Sequence, residues 1–294
     1  MLKKTVLLEN KASLTAKNLQ LVIKSEIRES TIPIEDIGFL VIDHPEIYLS
    51  IPAMNLLIEY NAAVILCSNK HLPNGMFLNL NSHHIQQEIF KSQIDASIPL
   101  KKQLWQQTVI EKITNQGVLL EKITGEKNSF DFLCSKVLSG DTSNMEGVAA
   151  SQYWKSFFEV KFKRERFGDY PNNFLNYGYA ILRAATARAL SGSGLLNTLG
   201  IHHKSKYNAF ALADDIMEPF RPIVDEKVFE LMQNYDEQEL NTVLKSELLQ
   251  ILTRTVYFKD EKSPLMVALQ KTASSLQQCY TGDRKKIKYP KLWN

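Results

Sequence analysis

Three short motifs in this chain offer one imidazole and two carboxylates. They are Asn144-Met145-Glu146-Gly147, Leu199-Gly200-Ile201-His202-His203 and Asp214-Asp215-Ile216-Met217-Glu218-Pro219-Phe220-Arg221-Pro222. Such a donor set suits a hard divalent cation held mainly by oxygen with one nitrogen, Mg²⁺ or Mn²⁺. An ion of that kind polarises a phosphodiester and activates an attacking hydroxyl. The chain is therefore a candidate for metal-dependent phosphoryl transfer on nucleic acid.

Each motif also has a plainer reading. Glu146 stands where small and capping residues lead into Ala149 and Ala150, so it equally suits a first-turn glutamate beside a helix dipole. His202 and His203 are adjacent and cannot share one helical face. Gly200 permits an irregular backbone just before them. Asp215 and Glu218, three apart, lie on one face if the segment is helical. Two such carboxylates repel unless a cation or proton lies between them, and Arg221 could serve as a simple salt-bridge partner. No GxxxxGK phosphate loop and no Gly-x-Ser-x-Gly elbow occurs, which leaves nucleophilic serine or cysteine catalysis without support.

The elements that must position these residues change character along the chain. Lys4–Leu8, Leu19–Lys24, Glu26–Ile34, Ile37–Ile42 and Ala63–Cys67 read as short strands, with Pro33 marking an edge. Ser50-Ile51-Pro52 opens a short helix, and Pro73-Asn74-Gly75 reads as a turn. From about residue 82 the apolar period becomes helical, as at Trp105, Val109, Ile113 and the alanine-rich run from Asn176 to Leu190. The expected fold class is α+β: an N-terminal β-sandwich over 1–85, then a larger all-α catalytic domain over 86–294.

Composition narrows the classes further. The net charge of +3 over 294 residues is too small to define a partner, so distribution matters more. Lys161, Lys163, Arg164 and Arg166 form one basic stretch, and Arg284, Lys285, Lys286 and Lys288 another. Either is a solvated face or a phosphate-binding one. No apolar run spans a bilayer, and Glu9, Asn10 and Lys11 interrupt any signal core, so no membrane association and a cytoplasmic location are expected. Cys67, Cys134 and Cys279 are scattered and read as reduced and structural.

Together with Asn176-Tyr177-Gly178-Tyr179-Ala180 and Lys70-His71-Leu72-Pro73-Asn74-Gly75, the three motifs resemble the CRISPR adaptation integrase, in the form found in type II systems. The resemblance covers essentially the whole chain. It implies a metal triad of Glu146, His203 and Glu218, with Asp215, Asn144 and Arg221 around it. His203 is chosen because the family places its histidine three residues after the glycine matching Gly200; His202 has no fixed role in the pattern. The implied activity is integration of short double-stranded DNA fragments into a CRISPR array, each fragment 3′-hydroxyl attacking a repeat phosphodiester. The implied cofactor is Mg²⁺ or Mn²⁺. The implied assembly is a homodimer, two of which are bridged by a dimer of a small ferredoxin-like partner into a heterohexamer, with other type II adaptation and RNA-guided nuclease proteins as further partners.

Two rival readings keep the same residues: a free-standing metal nuclease acting on branched DNA, and a non-catalytic DNA-binding subunit. The C-terminal segment is expected to anchor through Leu292 and Trp293 while its basic residues contact DNA or the partner protein. Its removal (residues 283–294) is expected to leave the fold and the metal site intact.

Overall fold

The computed structural model describes residues 3–158, 162–165, 168–259 and 261–294. The first part holds β1 (Lys4–Leu8), β2 (Ala12–Lys17), β3 (Gln20–Lys24), β4 (Glu29–Pro33), β5 (Ile37–Ile42), β6 (Ile47–Leu49), helix α1 (Ile51–Glu59), β7 (Ala63–Cys67) and β8 (Pro73–Phe77). They form two four-stranded sheets, ordered β1-β5-β7-β8 and β4-β3-β2-β6. The proline-bearing β4 lies at an edge, where its missing N–H costs no ladder bond. Ser50 caps α1 by accepting from the Ala53 N–H, with Pro52 in the first turn.

Helices follow: α2 (Gln86–Ile94), α3 (Ile98–Thr124), α4 (Phe130–Ser135), α5 (Met145–Phe157), α6 (Asn172–Gly192), α7 (Ala211–Met217), α8 (Arg221–Asn234) and α9 (Thr242–Leu249). A short hairpin, β9 (Thr255–Phe258) with β10 (Glu261–Pro264), then precedes α10 (Leu265–Thr281). No described helix is long and apolar enough to cross a membrane.

The sheet β1-β5-β7-β8 is a middle layer. Along β5 and β7, Ile37, Leu40 and Val64 face the sandwich core, whereas Phe39, Val41, Ala63 and Ile65 join the helical core. These strands read as continuous apolar runs because both faces are covered. Burying such side chains contributes about 1.5–3 kcal/mol each.

Local expectations fail at four places. Pro73-Asn74-Gly75 is not a turn but the start of β8, paired antiparallel with β7. Leu19 belongs to the tight turn between β2 and β3; Asn18 and Leu19 both take positive φ, and Leu19 is exposed. Strands β2 and β6 are too polar or too short to show as apolar runs. The β9–β10 hairpin stands in a region expected to be wholly helical.

The C-terminal segment is docked, not free. Leu292 and Ile287 are buried, Tyr289 Oη shares a hydrogen bond with Thr108 Oγ1, and Trp293 Nε1 donates to Glu226 Oε2 at 2.9 Å. Lys291 pairs its backbone with Tyr257. Deleting residues 283–294 would therefore strip the core of apolar contacts, contrary to the expectation from the sequence. Arg284, Lys285, Lys286 and Lys288 nevertheless stay exposed, with Lys288 Nζ over the Phe258 ring.

Candidate metal centre

Each motif has a local reason for its residues. Asp141 accepts from the Met145 and Glu146 N–H groups at 2.9 and 3.0 Å, capping α5 and placing Glu146 in its first turn. Asn144 takes φ 53°, and its amide lies over Gly147, where a Cβ would come within 2.8 Å of it. Asn144 thus shapes the turn beside Glu146.

The second motif wraps around Asp215, which is fully buried. Its Oδ2 accepts from the Ile201 and His202 N–H groups at 2.6 and 2.9 Å, and its Oδ1 from the His203 N–H at 3.2 Å. His203 Nδ1 lies 2.5 Å from Asp215 Oδ1. A carboxylate only accepts, so Nδ1 carries the proton and Nε2 is left as the ligating nitrogen. This hydrogen bond raises the His203 pKa against the opposing effect of burial. Gly200 is required because a Cβ there would meet the His203 carbonyl at 2.6 Å and Asp215 at 2.8 Å.

The two histidines separate. His202 stacks flat on buried Trp105, centroids 4.3 Å apart and planes 4° from parallel. Its ring lies on that indole while the residue stays exposed, whereas His203 lies near enough to Glu218 to affect its charge.

Glu218 follows α7 in a short 3-10 turn over Glu218–Phe220. Asn115 on α3 donates to the Pro219 carbonyl at 2.8 Å and clamps this turn. Arg221 Nε lies 2.8 Å from Glu218 Oε1. Burial alone would raise the Glu218 pKa; Arg221 and then Lys112 outweigh it and hold the carboxyl down at about 2. Lys112, from the middle of α3, lies 2.6 Å from Glu146 Oε1 and 2.5 Å from Glu218 Oε2. Burial would lower the Lys112 pKa, but the two carboxylates raise it overall.

The acidic run of the sequence is therefore divided among three tasks. Asp214 pairs with Arg183 at 2.6 Å and accepts from Asn208. Asp215 orients the histidine motif. Only Glu218 converges with Glu146. Behind them, Tyr153 and Tyr179 donate to buried Asp225, whose carboxyl burial pushes up to about 6. The Arg221 and Arg164 guanidinium groups lie over the Tyr179 ring.

Among the described residues, no three Asp, Glu, His or Cys side chains stand grouped to hold an ion, and Lys112 lies between the two glutamates. The donor set still fits a divalent cation. Glu218 Oε2 is buried and accepts no well-directed hydrogen bond, Glu146 faces the same point, and His203 keeps one ring nitrogen for a ligand.

The sequence reading missed Lys112 and Asp141. A signal existed for Lys112: Thr108, Lys112 and Asn115 form a polar stripe at i, i+4, i+7 within an otherwise apolar helix face, and all three are buried. Of the basic residues, Lys163 is exposed and paired with Glu165. Arg164 is committed inward, donating to Asn172 and Asn176. Lys161 and Arg166 lie outside the described residues.

A family model described as "CRISPR associated protein Cas1" matches residues 5–257. The "CRISPR-associated endonuclease Cas1" of Neisseria meningitidis serogroup C (strain 8013) is 36% identical over 293 residues, covering 98% of this chain and 96% of that protein. Among solved structures, a casposase bound to its integration product superposes with a TM-score of 0.80 at 20% identity, over 97% of this chain and 92% of that one. A Cas6-RT-Cas1–Cas2 complex superposes with a TM-score of 0.75 at 20% identity, over 99% of this chain and 36% of that one. With the model match and the full-length relative in agreement, the chain belongs to the Cas1 family, the endonuclease and integrase of CRISPR adaptation.

Proposed function

We propose that Glu146, His203 through Nε2, and Glu218 bind one Mg²⁺ or Mn²⁺ and that this site joins short DNA fragments to a CRISPR repeat. The observation that carries this reading is the convergence of the Glu146 and Glu218 carboxylates on one point, 2.6 and 2.5 Å from a common cationic nitrogen, beside an imidazole oriented by Asp215. A divalent cation is a general requirement of endonucleases of this family. When bound, it supplies charge stabilisation at the attacked phosphate.

The reaction is a transesterification. The fragment 3′-oxygen forms a bond to a repeat phosphorus, the phosphorus–3′-oxygen bond of the repeat breaks, and a proton passes to the departing oxygen. No protein nucleophile is needed. Asp215 holds the His203 tautomer, and Arg221 keeps Glu218 ionised. Exposed Lys163, Arg284, Lys285, Lys286 and Lys288 would contact backbone phosphates and make binding salt-dependent, with Lys161 and Arg166 assigned the same role from the sequence alone. Arg164 leaves that set, because its guanidinium already binds Asn172 and Asn176.

The likeness to a Cas1–Cas2 assembly supports a small ferredoxin-like partner dimer that holds two homodimers so that two sites engage opposite ends of one fragment. Residues 1–85 would carry the dimer contact and 86–294 the catalysis. The type II form, with the other proteins of such a system as partners, belongs to the same reading.

The test is joining of a labelled fragment to a plasmid bearing a repeat, in Mn²⁺ and in EDTA, for the parent chain and for Glu146→Ala, His203→Ala and Glu218→Ala. Joining only by the parent and only with metal is expected. Joining that persists in EDTA overturns the metal site. Cutting of branched DNA without any joining would instead favour a nuclease alone.

A further inference from the structure

The point on which Glu146 and Glu218 converge is filled by the chain's own cation. Lys112 Nζ contacts both carboxylates, and its side chain is almost wholly buried. Arg221 holds the other oxygen of Glu218. Two carboxylates thus face one ammonium and one guanidinium, while His203 and Asp215 are paired with each other. The charges of Glu146 and Glu218 are already matched by Lys112 and Arg221. Removing Lys112 would leave two carboxylates facing each other, Glu218 buried and Glu146 partly buried, which is strongly unfavourable. A dication added to this site would meet Lys112 at contact distance.

We propose that Lys112 is a built-in counter-cation. It holds the two carboxylates in position before an ion arrives, and it must leave them for the ion to bind. A DNA phosphate offers the displaced ammonium a new partner at the same site. Metal binding and DNA binding then reinforce each other, and the coupling is reciprocal. A lysine suits this exchange because its ammonium is a compact charge on a flexible stem, whereas Arg221 is fixed by its planar fork and by the Tyr179 ring. Lys112 is thus a positioning residue, and the inference rests on the reading of Glu146, His203 and Glu218 as ligands.

The experiment measures free Mn²⁺ by electron paramagnetic resonance in titrations of the full chain, with and without a duplex carrying dideoxy 3′ ends. The parent protein should bind Mn²⁺ weakly alone and at least about tenfold more tightly with DNA, the scale of one neighbouring unit charge. Lys112→Met should bind Mn²⁺ at least about tenfold more tightly than the parent without DNA, and DNA should then add little. Its melting temperature without metal should fall, and Mn²⁺ should raise it more than in the parent. If the variant does not fold without metal, folding restored by Mn²⁺ is the same expected outcome. Equal or weaker Mn²⁺ binding by the variant without DNA, or folding that Mn²⁺ does not restore, overturns the role of Lys112. Absence of Mn²⁺ binding by the parent even with DNA would instead overturn the ligand assignment itself.

Discussion

Among the described residues, two buried lysines, Lys112 and Lys245, each bridge two carboxylates beside a histidine, and one of these clusters is the proposed metal site. Lys112 joins Glu146 and Glu218, with His203 nearby. Lys245 on α9 joins Glu9 and Asp43 at 2.9 and 2.6 Å, with His71 Nδ1 2.9 Å from Asp43. Residue types and distances almost match. The difference is a third acid. His71 is bonded to one of the two bridged carboxylates, so its ring is tied to the pair and turns outward, largely exposed. His203 is bonded to Asp215 instead, so neither of the bridged carboxylates is taken up by the imidazole. The Lys245 cluster also joins parts of the fold: Glu9 and Asp43 follow strands β1 and β5, and the lysine comes from the helical region. What sets the proposed metal site apart from the joint is a carboxylate outside the bridged pair that orients the imidazole.

The sharpest way to break this comparison is to remove one acid from each cluster. Glu218→Ala should lower joining by about 10³-fold or more, the scale of several kcal/mol of lost charge stabilisation. Glu9→Ala should leave joining per folded molecule unchanged. Equal loss in both would mean the Lys245 cluster is also part of the site. Stability should respond in the opposite sense. Lys245→Met leaves buried Asp43 and partly buried Glu9 without their shared ammonium and should cost about 3–5 kcal/mol in urea denaturation. A cost near zero would show that the joint is not held by this pair.

Asp215→Asn tests the third acid directly. Outer partners of metal-binding histidines are worth about 10–100-fold in affinity, so Mn²⁺ binding above the histidine range should weaken by that factor. The pH dependence adds a sign. Without metal, the bond to Asp215 holds His203 above its ordinary value of 6.5. Such a group stabilises the fold fully below 6.5, and the contribution is lost as pH rises through the raised folded value. The variant should lose that part of the slope. An unchanged pH profile of stability would place the dependence on another group. His202→Ala should have the smallest effect, about 1 kcal/mol of stability for the lost Trp105 stack and little change in Mn²⁺ affinity. A loss of metal binding as large as that of His203→Ala would exchange the roles assigned to the two histidines.

The contrast also explains what the sequence could reveal. Glu146, His203 and Glu218 are singled out by the motifs that resemble the family; spacing alone leaves a first-turn glutamate, a polar histidine and a salt-bridged acid equally open. The division of Asp214, Asp215 and Glu218 into separate tasks was not legible, because spacing alone puts them on neighbouring faces and their partners Arg183 and Arg221 come from different helices. Lys112 was hidden for the opposite reason: a lysine in a long helix reads as solvated unless the buried polar stripe from Thr108 to Asn115 is noticed. In the fold, strands buried on both faces announced themselves as apolar runs. The hairpin of β9 and β10 did not, since Lys259, Glu261 and Lys262 give its turn the look of a loop.

The two-sided burial of β5 and β7 bears on how this protein can be taken apart. Phe39, Val41 and Ile65 face the helices, so a fragment ending at residue 85 would present them to water as an uncovered apolar sheet. Such a surface invites self-association. The strand-rich half is therefore not an autonomous module. Studies of the proposed dimer contact require the intact chain or a fragment in which that face has first been made polar.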